Sequence, residues 1–142
     1  MNGLAILIPK KLTRTEVYIS SIFVLLLQVI VDIIFDLEFN LYGYFKEGID
    51  LVAFVTFLAL YPAFSVCYLN YFPFNKPLVR KVVYILTTSI FCIVYEYLSI
   101  KSGYFYHNKW NLWYSAVSYP ALLGFMAWHL STIRWIINKD YK

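Results

Sequence analysis

Five residues carry most of the chemistry open to this chain: Asp32, Asp36, Glu96, His107 and Trp110. Gln28, Asp32 and Asp36 recur every four residues inside the first long apolar run, so on a helix they form one polar stripe. Ser21, a heptad before Gln28, continues it. In a later run Thr88, Cys92 and Glu96 share a face by the same spacing, and the two stripes could face each other. An ionisable group within an apolar span costs about 3 kcal/mol at the bilayer centre on insertion scales, less toward the interface, which makes each one a candidate site. Two roles are open to these carboxylates. They either hold helices together through hydrogen bonds to Tyr, Ser or Thr on neighbouring helices, or form an ion, proton or substrate site.

Residues 101 to 113, KSGYFYHNKWNLW, add His107 and Trp110 on the same side as the carboxylates. Asp32, Asp36, Glu96 and His107 together sketch a mixed oxygen and nitrogen ligand set, but their spacing specifies no metal site, and no metal or other cofactor is expected. His129 lies within the last apolar run, where a hydrogen bond across helices is a commoner role than a proton relay. Cys67 and Cys92 lie inside apolar runs and read as packing residues rather than a disulfide or zinc framework. The sequence carries no Gly-rich phosphate loop, HExxH or GxSxG motif, and no arginine on the acidic side to clamp a phosphate. Those absences weigh against an enzyme acting on lipid phosphates at the outer face, and a membrane-embedded enzyme of another kind ranks third among the expected functions.

The elements that must position these residues are long and apolar. Of 142 residues, 61% are hydrophobic and 14% charged, against roughly 45–50% and about 25% in soluble domains. A soluble domain of this size could not hide so much apolar surface. Four runs, about 17–36, 51–72, 82–100 and 113–137, each approach the roughly 20 residues that cross about 30 Å of hydrocarbon. The expected fold is therefore all-α: one integral membrane domain over 1–142, built as a four-helix transmembrane bundle. A kink is expected at Pro62, and residues 73 to 81, PFNKPLVRK, break the helix with two prolines and three cations. Ala116, Pro120 and Gly124, and separately Ala127 and Ser131, offer small-residue spacing for close helix approach.

Charge orients the bundle. Lys10, Lys11, Arg14, Lys76, Arg80, Lys81, Arg134, Lys139 and Lys142 fall on one side, leaving only Lys46, Lys101 and Lys109 for the other. The positive-inside rule then predicts that the N-terminus, the middle loop and the C-terminus are cytoplasmic. Six of the eight acids, all but Glu16 and Asp140, sit in or near the outer half. The short run LAILI precedes Lys10 and Lys11, so no cleaved signal is expected; the first span targets itself, and the opening fifteen residues lie along the cytoplasmic interface. The net charge of +4 is dispersed in small clusters, not gathered into a phosphate-binding face, which argues against nucleic acid.

The stretch YEYLSIKSGYFYHNKWNLWYS (95 to 115), with DIIFDLEFNLYGYF from Asp32 and YPAFSVCYLNYFPF from Tyr61, resembles a family of small multi-pass membrane proteins from Gram-positive spore-forming bacteria. The resemblance covers roughly residues 28 to 120. It implies a bacterial plasma membrane location and carries over no catalytic residue. The expected function is a non-enzymatic structural or regulatory membrane component, in contact with the lipid bilayer and with itself or another membrane protein. The alternative is a transport or ion-binding subunit using Asp32, Asp36 and Glu96.

Overall fold

The computed structural model describes residues 11–39, 41–44, 51–103 and 105–140, several of them, Asp32 and Asp36 included, through their backbone alone. Four long helices dominate: α1 Arg14–Asp32, α2 Leu51–Tyr71, α3 Leu78–Lys101 and α4 Leu112–Asp140. The apolar runs do form helices. Two features were not expected. α1 continues as a π-helical segment, Ile33–Glu38, and two short strands, β1 Tyr42–Tyr44 and β2 Phe105–His107, pair antiparallel with Tyr42 opposite His107.

Local chemistry sets the helix ends. Thr13 and Glu16 form a reciprocal capping box at the start of α1: Glu16 N–H donates to Thr13 Oγ1 at 3.2 Å, and Thr13 N–H donates to Glu16 Oε2 at 2.8 Å. α3 begins at Leu78, four residues ahead of the expected start. Pro77 takes the cap position, where a fixed φ of −53° and a missing N–H are harmless, so Arg80 and Lys81 belong to the first turn. At the other end of α3, Gly103 adopts φ 76°, the left-handed geometry that closes a helix. Asn111 starts α4 by accepting the amides of Trp113 and Tyr114 on Oδ1, at 2.9 and 3.3 Å. Both α2 and α4 run unbroken through their internal prolines, Pro62 and Pro120.

The helices alternate in direction. α1 packs on α2 and α3 on α4, while α4 also touches α1 and α2. Leu69, Leu123, Met126 and Leu130 are buried at the centre, with Val24 and Val66 beside them. Tyr68 on α2 donates its hydroxyl to the Leu123 carbonyl on α4 at 3.1 Å, and Tyr84 on α3 donates to the Tyr68 carbonyl at 3.1 Å. Two tyrosines thus tie three helices.

The start of α1 and the end of α4 meet at one end of the bundle, where Arg134 Nε donates to Glu16 Oε1 at 2.5 Å. The Arg134 guanidinium also lies 4.4 Å from the centre of the Phe74 ring, and Lys11 N–H donates to Asn70 Oδ1 at 2.6 Å. Glu16 precedes the apolar run that begins at Val17. Burial there pushes its pKa up, but the Arg134 hydrogen bond, the Thr13 amide and the Arg134 charge outweigh burial and hold the carboxyl below its ordinary value. Of the opening fifteen residues, 1 to 10 lie outside the described residues.

The polarity of α3 is inverted relative to a helix in water. Its buried residues are Ser89 and Glu96, whereas Val79 is 73% exposed and Ile90 62%. Two helices, α1 carried on to Phe35 and α3, are long and apolar enough to cross a membrane. Only 12% and 6% of their apolar stretches are buried within the protein, whereas the core helix of a soluble protein would be mostly buried.

Candidate functional site

The site forms at the end of the bundle opposite Glu16, where three elements converge on one carboxylate. Glu96 comes from the last third of α3, on the face it shares with Thr88 and Cys92. Ser115 and Tyr119 lie one helical turn apart near the start of α4, so the same spacing aims both at α3. His107 ends β2. Its place is fixed by the pairing with Tyr42 and by the Leu41 carbonyl, which accepts the amides of Asn108, Lys109 and Trp110 at 2.9, 3.1 and 3.0 Å. One carbonyl therefore gathers the turn that carries both His107 and Trp110.

Glu96 is 5% exposed. Its Oε1 lies 2.7 Å from His107 Nε2 and accepts the Ser115 hydroxyl at 2.7 Å, while Oε2 accepts the Tyr119 hydroxyl at 2.6 Å. Trp110 Nε1 donates to Ser115 Oγ at 2.8 Å, extending the network by one member. Rings enclose this end: Trp110 lies 5.5 Å from Phe35, 5.9 Å from Tyr42 and 5.3 Å from Tyr114, centre to centre. A buried carboxylate without partners would cost several kcal/mol, and hydrogen bonds to a charged group return about 1.5–3 kcal/mol each. Three such bonds make burial of Glu96 tolerable.

His107 Nε2 and the Ser115 hydroxyl both engage the same carboxylate oxygen and not each other, so the serine proton is directed at Glu96 and not at an imidazole. Among the described residues no three of His, Cys, Asp and Glu are grouped to hold a metal ion. The arrangement is that of a brace: a carboxylate fastening α3 to α4 and to the strand pair.

Of the residues singled out in the sequence, Glu96, His107 and Trp110 come together. The backbone carries Asp32 to the end of α1 and Asp36 into the π-helical segment, and their side chains lie outside the described residues. Ser115 and Tyr119 were missed; their one-turn spacing on α4 was the available signal. His129 makes no hydrogen bond across helices among the described residues: its ring stacks on Phe23 at 3.7 Å between centres, and Nδ1 is buried without a hydrogen-bond partner there. Thr88 turns its hydroxyl back to the Tyr84 carbonyl on its own helix at 2.8 Å. Cys92 and Gln28, from the two polar stripes, instead share the wall of a cavity of about 410 Å³ that also reaches Glu96.

Comparison with protein-family models, with curated proteins and with solved structures found no match to this chain.

Proposed function

We propose that this chain is a multi-pass membrane protein of the bacterial plasma membrane, with four spans and both termini cytoplasmic, acting as a non-enzymatic structural or regulatory component. The inverted polarity of α3, whose apolar residues point outward, supports membrane embedding. Alternating helix directions agree with an even number of spans, and nine cations against three set the orientation. α2 and α4 then supply the remaining spans, each long enough at 21 and 29 residues.

One observation carries the non-enzymatic reading. Glu96, the most deeply placed carboxylate described, is engaged by three protein donors from two other elements. A carboxylate so engaged stabilises the bundle and presents a fixed outer face to a lipid or protein partner. A transport or ion-binding subunit is the second reading, favoured by Gln28 and Glu96 lying on one cavity wall.

Glu96→Gln separates the two. The amide offers one acceptor oxygen to three donors and adds donors of its own. The structural account expects membrane abundance to collapse. Normal abundance together with altered sodium or proton uptake in proteoliposomes would transfer the role to ion binding.

A further inference from the structure

Building on the membrane reading, we propose that the cavity between the four helices binds an uncharged, hydroxyl-headed single-chain amphiphile from the outer leaflet. The cavity volume of about 410 Å³ falls within the roughly 300–1,000 Å³ of small-molecule sites. Its walls come from all four helices, and along α1 and its π-helical continuation they run from Val24 to Phe35, a depth on the order of 15 Å at about 1.5 Å per residue.

Polarity is graded along that depth. The deep end is apolar, with Val24, Phe64 and Met126, whereas Glu96, Ser99 and Ser118 lie nearer the outer end. An outer-leaflet amphiphile has the same order, tail toward the midplane and head toward water. The cavity is thus oriented to accept such a molecule without inverting it.

The head group follows from charge. No Lys or Arg is among the described lining residues, so a phosphate or carboxylate head would meet the Glu96 carboxylate without a compensating cation in the wall. Oε1 already engages His107 Nε2 and the Ser115 hydroxyl, so an ammonium head with three donors would leave donors without an acceptor on Glu96. Among the described residues, Glu96 Oε2 accepts a single hydrogen bond, from Tyr119. A carboxylate oxygen has two lone pairs, and the second suits a neutral hydroxyl donor. A long-chain alcohol or a monoacylglycerol has the required form.

The test uses the full chain in phosphatidylcholine nanodiscs with radiolabelled monooleoylglycerol. Saturable binding near one per chain is expected, displaced by oleyl alcohol, with oleate and oleylamine at least tenfold weaker. Met126→Trp, which fills the deep end, should abolish binding; Val24→Phe provides a second block should the first variant not fold. No saturable binding above protein-free nanodiscs overturns the proposal, as does equal displacement by oleate or oleylamine, or unchanged binding in a folded blocking variant. The wild-type competition alone decides the head-group class. Release of the chain from membranes by alkaline carbonate would instead defeat the membrane reading, so the two failures are distinguishable.

Discussion

At the scale of single residues, the Glu96 brace makes unequal demands on its donors. Tyr119 is the only described donor to Oε2, so Tyr119→Phe removes a charge-assisted bond outright. A loss of about 1.5–3 kcal/mol is expected, read as a lower unfolding midpoint in detergent. At the opposite end, the depressed Glu16 carboxyl contributes stability above its ordinary pKa of 4.5, and that contribution is lost as pH falls through the lower folded value. Arg134→Gln should therefore flatten the acid limb of the melting temperature against pH; an unchanged acid limb would remove Arg134 from that role. Glu96, His107 and Trp110 were legible because each is a polar or amphipathic group set against an apolar background. Tyr119 was not, being one of fourteen tyrosines, and on α4 the small-residue series Ala116, Pro120 and Gly124 competes for attention with the 115 and 119 pair. The Thr13 to Glu16 box was open to reading as well, since Thr-x-x-Glu before an apolar run is a helix-start signature.

At the scale of elements, the helices were readable and their connections were not. Hydropathy locates apolar runs, but α3 owes its early start to the backbone of Pro77, which a search for uninterrupted hydrophobicity treats as a breaker. The strand pair left no periodic trace, because three residues are too few to alternate visibly and the partners lie more than sixty positions apart. The turn that delivers β2 depends on Gly103. A Cβ added there meets nothing within 4 Å, so Gly103→Ala adds backbone strain alone. The expected cost is about 1 kcal/mol, with Asn better tolerated than Ala, checked by thermal unfolding of the three proteins side by side. A larger loss would mean that the strand pair, and not only the helix end, depends on this glycine.

At the scale of the whole molecule, the apolar composition is unlike that of typical soluble domains, and the proposed orientation rests on the charge asymmetry of the sequence. That orientation predicts a labelling pattern. With Cys67 and Cys92 replaced by Ala, a cysteine at position 109 should react with a membrane-impermeant maleimide on intact cells. A cysteine at position 76 should react only after permeabilisation, and the reverse pattern would invert the topology. The link between Glu16 and Arg134 has a bearing on biosynthesis as well. Its partners are 118 positions apart, so it can close only once α4 has left the ribosome. Until then the capping carboxylate lacks its cation, and an unfinished chain differs in charge at that end from a finished one.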